Sequence, residues 1–207
     1  MRSRLSAVAV SLGLIVALNS SVVLAEESPW LFRFRALNLD MDSQSSGEVL
    51  PADAISVSDK VIPDFNISYF FTPNWAAELV LTIPQEHDVK VEGLGNIGSF
   101  KHLPPTLTLA YHFSPDSNFR PYVGAGINYT LFMDEDMQVG NAEVTLENDS
   151  IGAAYRVGFD WVINKDWLLN VDVKKILIGS DVYLDGTKIS SLDVDPLAIG
   201  VGIGWYF

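Results

Sequence analysis

Eight charged residues stand where charge is least expected. Arg33, Arg35, Asp64, Glu78, Arg156, Asp160 and Asp172 each have an apolar neighbour on both sides in the chain, and Lys174 follows Val173. Four cations and four anions held among apolar neighbours must pair, because an isolated charge out of water is costly. The plainer chemistry is a structural plug of ion pairs, and the sharper one a polar gate or proton path. Of the three histidines, His87, His102 and His112, only His112 falls clearly on the same face as these charges. No nucleophile elbow and no zinc-spaced histidine pair occurs, so neither catalysis nor a bound metal or cofactor is expected. Asp134-Glu135-Asp136 lacks the spaced ligands and turn glycine of a calcium loop and reads as a solvated acidic loop.

What positions the eight charges is a period of two. Eight segments alternate, one parity apolar and the other small, polar or charged, which is the signature of strands with two unlike faces. The last is the clearest: Leu197, Ile199, Val201, Ile203, Trp205 and Phe207 alternate with Ala198, Gly200, Gly202, Gly204 and Tyr206. Upstream, Trp30, Phe32 and Phe34 oppose Arg33 and Arg35; Phe65, Ile67 and Tyr69 oppose Asp64, Asn66 and Ser68; Leu79 and Leu81 oppose Glu78. Leu107, Leu109 and Tyr111 oppose Thr106, Thr108 and His112, and Val123, Ile127 and Tyr129 oppose Tyr122, Gly126 and Asn128. Tyr155, Val157 and Trp161 oppose Arg156 and Asp160, and Leu169, Val171 and Val173 oppose Asn170, Asp172 and Lys174.

Composition and the chain's start narrow the class. A chain of 207 residues that is 48% hydrophobic and 19% charged, with no cysteine, is neither a disordered polymer nor a disulfide scaffold. Its net charge of −13 argues against nucleic acid as a partner. Arg2 and Arg4, the apolar stretch Leu5–Leu18, and Val23 and Ala25 at −3 and −1 form a signal peptide over residues 1–25, cleaved after Ala25. The rest, 26–207, reads as a single domain. It has no apolar run long enough for a spanning helix, so the choice lies between a soluble β protein and a membrane barrel.

Three observations favour the membrane. Short connections at Thr72–Asn74, Ser114–Asn118 and Asn164–Asp166 alternate with long ones, the last carrying the turn Asp185-Gly186. Aromatics bracket the short turns, with Phe70, Phe71 and Trp75, then Phe113 and Phe119, then Trp161 and Trp167, at the level of an interfacial girdle. The chain also stops on Phe207 within its last strand, which must pair with the first to leave no edge. The fold class is therefore all-β, an eight-stranded antiparallel up-and-down transmembrane β-barrel of the outer-membrane type. Both termini lie on the short-turn, periplasmic side, and the long loops are extracellular.

The chain resembles the outer membrane protein W (OmpW) family. The resemblance is carried by Lys101-His102-Leu103-Pro104-Pro105-Thr106-Leu107-Thr108-Leu109, by Phe119-Arg120-Pro121-Tyr122-Val123-Gly124-Ala125-Gly126-Ile127-Asn128-Tyr129, and by Ile163-Asn164-Lys165-Asp166-Trp167-Leu168. The family usually ends Tyr-Arg-Phe, and here the end is Trp205-Tyr206-Phe207; the terminal aromatic, Phe207, resembles an outer-membrane assembly signal. The resemblance implies a channel or transporter in the bacterial outer membrane that lets small hydrophobic molecules cross. It implies as partners outer-membrane lipid and lipopolysaccharide, the assembly machinery and the solutes themselves.

An eight-stranded barrel is too narrow for a porin-sized water channel. An apolar solute gains nothing from a charged lumen, so it is expected to enter an apolar pocket at the mouth and leave sideways through the wall. Candidates for that pocket are Leu37, Leu39, Val61, Leu103, Phe132, Ile176 and Ile178, and Pro63, Pro84, Pro104 and Pro105 could mark a break in the wall. The other reading is a structural or receptor-type barrel displaying acidic loops. The four long connections, taken as 40–60, 84–104, 134–149 and 179–195, hold 18 acidic and four basic residues, a crown that repels anions and attracts cations.

Overall fold

The computed structural model describes residues 28–46 and 53–207; the expected signal peptide, residues 1–25, lies outside them. The strands in chain order are β1 (Trp30–Met41), β2 (Gln44–Ser46), β3 (Ile55–Val57), β4 (Lys60–Phe70), β5 (Trp75–Leu81), β6 (Gln85–Val91), β7 (Gly95–Leu103) and β8 (Thr106–His112). They continue with β9 (Phe119–Val139), β10 (Ala142–Leu146), β11 (Asp149–Val162), β12 (Trp167–Ile176), β13 (Gly179–Leu184), β14 (Thr187–Asp193) and β15 (Pro196–Tyr206).

Eight of these close into a barrel. The order β11-β12-β15-β1-β4-β5-β8-β9 returns on itself through β9–β11, every pair antiparallel. The end of the chain seals the ring as the alternation required: β15 pairs with β1 from Leu31 with Tyr206 to Met41 with Pro196. Two of the three short turns are fixed by side-chain oxygens at their start. Thr72 Oγ1 accepts from Trp75 N at 3.0 Å, and Asn164 Oδ1 accepts from Asp166 N and Trp167 N, both at 3.0 Å. Around these turns the girdle forms, with Trp30 against Tyr69 (4.8 Å between centroids), Trp75 against Tyr111 (5.1 Å) and Trp167 against Trp205 (5.8 Å).

The long connections are not loops. They fold into strands that stack a second tier on the barrel, in the order β3-β6-β7-β9-β10-β13-β14-β2, with β9 long enough to belong to both tiers. β2 comes back to the neighbourhood of β3, where Asp53 N donates to Ser45 O (2.9 Å) and Ile55 N to Ser45 Oγ (3.1 Å), so this collar also runs nearly full circle. The Asp185-Gly186 turn joins β13 to β14 with both residues at positive φ, 47° and 78°, as a tight hairpin demands.

Amphipathicity inverts between the tiers. In the lower tier apolar side chains point outward: Phe34, Val123, Ile127, Tyr155, Val157, Leu169, Val201 and Ile203 are exposed, and their neighbours Arg33, Arg35, Arg156 and Asn170 are buried. In the upper tier the apolar set turns inward. Along β1 the buried positions pass from Arg33 and Arg35 to Leu37, Leu39 and Met41 while Asn38 and Asp40 face out, and along β12 they pass from Asn170, Asp172 and Lys174 to Ile176. The lower tier is thus built for an apolar exterior and the upper one for water.

Candidate functional site

The lower tier holds a plug. Arg33 Nε and Nη2 donate to the two oxygens of Asp160 at 3.2 and 2.6 Å, and its Nη1 donates to Ser68 Oγ (2.8 Å) and Glu78 Oε2 (3.0 Å). Arg35 Nε donates to Asp64 Oδ2 (2.6 Å), and its Nη1 lies 3.2 Å from Asp172 Oδ1. Arg156 pairs with Glu78 and gives Nε and Nη2 to Asp172 Oδ2 at 2.9 and 2.7 Å. The structure brings all eight charges proposed for the lumen into one buried network, from strands β1, β4, β5, β11 and β12. Three guanidiniums therefore span a space that strands on opposite sides enclose. Charge balance and bidentate geometry are what make such burial tolerable.

β15 supplies the room. Its inward residues beside the arginines are Gly200, Gly202 and Gly204, and a Cβ at Gly204 would sit 3.0 Å from Arg33 Cγ, at Gly200 3.3 Å from Arg35 Cδ. The guanidiniums occupy the volume that side chains on this strand would have taken.

One member of the plug is absent from the eight. Tyr122 is buried, its hydroxyl accepting from Arg156 Nη2 (2.9 Å) and Asn170 Nδ2 (3.0 Å) and donating to Asp172 Oδ2 (2.9 Å), with the Arg156 guanidinium 4.7 Å from its ring centre. The signal was present in its parity, which sets one large ring among Gly124, Gly126 and Asn128. His112 also faces this space, 3.9 Å from Asp160.

Above the plug the collar encloses a mainly apolar core. Leu37, Leu39, Phe132, Ile176 and Ile178, proposed for the mouth, pack there with Ile62, Val89, Phe100, Met137 and Val182. Two other mouth candidates differ. Val61 is 68% exposed on the outer surface, because its partner across β1 is the outward Asn38; Ile62 takes the inward place. Leu103 is only half-buried, because on β7 the inward parity belongs to Phe100 and His102.

His87 and His102 correct the view that His112 alone faces inward. Their segment is the β6–β7 hairpin, with its own alternation, and their rings stack in the wall at 4.8 Å with 5° between planes. His87 Nδ1 lies 2.7 Å from Ser58 O. Burial lowers the pKa of His87 and pushes His102 down to about 3, helped by His87 and the Lys60 ammonium, so both rings are neutral at pH 7. Asp134-Glu135-Asp136 is likewise strand, at a bulge of β9 against β7, where Asp134 pairs with Lys101 (2.9 Å) and raises that ammonium's pKa.

Collar and plug meet at a seam. β5 pairs with β4 only as far as Leu81 with Phe65 and with β8 as far as Val80 with Thr106. Beyond, the chain leaves the wall at Pro84 and returns at Pro104-Pro105, while β6 pairs with β3 and β7 with β9. Among the described residues, no strand pairs with Lys60–Pro63 of β4 on that side. A cavity of about 20 Å³ lies behind this notch, lined by Leu37, Ile62, Val80, Thr82, His102 and Thr106 among others. Outside it, Val61, Leu81 and Ile83 are 68%, 51% and 55% exposed. An apolar surface thus passes from inside the wall to outside it at the level where amphipathicity inverts.

Comparison with known proteins gives the arrangement its relatives. The sequence profile of the OmpW family matches residues 33–207. The uncharacterized outer-membrane protein y4mB of Sinorhizobium fredii is 40% identical over 190 residues, 89% of this chain and 82% of that one. Outer membrane protein W of Vibrio cholerae is 35% identical, covering 95% of this chain and 97% of its own. Among solved structures, the outer membrane protein OprG from Pseudomonas aeruginosa superposes with a TM-score of 0.76 at 29% identity, over 87% of this chain and 96% of that one.

Proposed function

Given that the chain belongs to the OmpW family of outer-membrane proteins, we propose that it lets small hydrophobic molecules cross the outer membrane, entering through the collar and leaving sideways through the notch into the bilayer. The inversion of amphipathicity carries this reading. A solute that has shed water in the collar meets the ion plug beneath it, where it would have to separate buried charge pairs at a cost of several kcal/mol. At the same level Ile62 and Val80, with Thr82, lead towards the exposed Val61, Leu81 and Ile83, so apolar side chains reach the exterior there. The cavity of about 20 Å³ is far below the roughly 300 Å³ a ligand pocket needs. Passage therefore requires the seam to part, and a seam without ladder hydrogen bonds is the place for it.

The same reading assigns residues 1–25 to export, Phe207 to recognition by the assembly machinery, the short turns to the periplasm and the collar to the outside. Lipid and lipopolysaccharide surround the barrel, and the lumen charges serve as the plug that turns solutes aside.

Vesicles whose outer leaflet carries lipopolysaccharide provide the test, since that leaflet is the barrier to apolar solutes. Protein-bearing vesicles should take up a hydrophobic dye faster than empty ones, and Thr82→Trp, which fills the notch, should return uptake to the empty-vesicle rate. Uptake equal to empty vesicles in the parent protein would leave the structural or receptor reading standing; unchanged uptake in Thr82→Trp would refute the lateral route.

A further inference from the structure

The apolar chamber has a polar floor whose bonding capacity is unspent. Lys174 is 1% exposed, and among the described residues its ammonium has one charge contact, Asp172 Oδ1 at 3.8 Å, beyond hydrogen-bond distance. Asp64 gives Oδ2 to Arg35 and keeps Oδ1 buried without a partner among the described residues. His102 keeps Nδ1 in the same state. All three residues line the cavity behind the notch, together with Leu37, Leu39 and Ile176. A buried acceptor left unpaired costs about 1–3 kcal/mol, so whatever occupies this space is selected for its ability to bond there.

The chemistry of the three groups defines the occupant. A hydrocarbon satisfies none of them. A carboxylate suits Lys174 but is repelled by the free oxygen of Asp64, and it must first pass long connections holding 18 acids and four bases. An ammonium suits Asp64 and is repelled by Lys174. A neutral hydroxyl accepts from an ammonium and donates to a carboxylate oxygen or a ring nitrogen, and its volume is that of a water, which is what a cavity of about 20 Å³ admits.

Resting on the transport reading above, we propose that the floor formed by Lys174, Asp64 and His102 selects, among apolar solutes, those that carry a neutral hydroxyl group, namely phenols and alcohols. The body of the solute lies in the collar against Leu37, Leu39 and Ile176, and the hydroxyl is held at the entrance to the notch. Sites with buried polar groups discriminate strongly against an analogue that leaves them unpaired, more strongly than they distinguish one apolar body from another.

Three fluorescent probes of one shape separate the possibilities: naphthalene, 2-naphthol and 2-naphthoate, offered at pH 7 to the lipopolysaccharide-bearing vesicles containing the full-length protein. The half-saturating concentration for 2-naphthol should lie about tenfold or more below that for naphthalene, the worth of one good hydrogen bond, and 2-naphthoate should be taken up least. In Lys174→Met, and independently in His102→Phe, which stands outside the ion network, the ratio of 2-naphthol to naphthalene should fall to near one. The altered mobility of an unheated folded barrel on a denaturing gel certifies each variant. Equal handling of 2-naphthol and naphthalene by the parent protein, a ratio unmoved in both folded variants, or a preference for 2-naphthoate overturns the inference while the transport reading stands. Uptake of neither neutral probe above that of protein-free vesicles overturns the transport reading and the inference with it.

Discussion

At the scale of single residues the plug is a set of mutual dependencies. Arg33 holds Asp160 through two nitrogens and Glu78 through a third, with 1% of its side chain exposed. Arg33→Met leaves two buried carboxylates short of a cation and should destabilise the barrel by about 3–5 kcal/mol, read from urea unfolding in vesicles. Adding Asp160→Leu should recover part of that loss, because removing both partners costs less than orphaning one; a strictly additive double variant would show that the two do not interact. The eight charges were legible in the sequence because each falls on the parity opposite an apolar one. Tyr122 was legible only in its inward parity; its bonding was not, since its hydroxyl meets residues 34, 48 and 50 positions away. Val61 misled for the opposite reason: an apolar residue near a mouth looks like lining until its register opposite Asn38 turns it outward.

Among the elements, the eight barrel strands were legible and the collar strands were not. The lower tier shows an apolar parity strong enough to read alone, as in Leu197 to Phe207. Collar strands carry a mixed inward set, Gln85, His87, Val89 and Val91 on β6, and irregular partners such as Gly95 and Gly98 on β7. Their polarity is also inverted, so a search for an outward apolar face passes over them. The β6–β7 hairpin makes its own test, because it depends on His87 and His102 staying neutral. Freed from the wall, a histidine titrates near 6.5, whereas His102 in place is held near 3 by burial, by His87 and by Lys60. The opened hairpin therefore binds more protons, and the contribution to stability is whole above about pH 7 and drains away as pH falls from 6.5 towards 3. Amide exchange over residues 85–103, corrected for intrinsic rates, should show opening favoured by roughly twentyfold at pH 5 relative to pH 7. His102→Phe should flatten that dependence; a parent hairpin indifferent to pH would contradict the buried, neutral pair.

For the whole molecule the exterior divides into an apolar band below and an acidic crown above. Val201, halfway along β15 between Ala36 and Val171 and 58% exposed, should lie near the middle of the band. Val201→Arg is expected to cost about 2–4 kcal/mol in bilayers, where Asn38→Arg, on the outward face above the inversion, should cost little. Equal costs at both positions would mean that the band is misplaced. The two tiers share one strand, and its length has a consequence for where solutes are captured. β9 has 21 residues. At about 3.3 Å per residue and a tilt of roughly 40°, such a strand climbs about 50 Å, twice the ~25 Å band of a barrel exterior. With the collar outward, as proposed, the entrance would stand like a chimney some 25 Å clear of the hydrocarbon, level with the sugars of the outer leaflet. On the proposed route a sparingly soluble molecule would be collected within that hydrated layer and released below it, so that the layer would be bypassed in height and not breached in width.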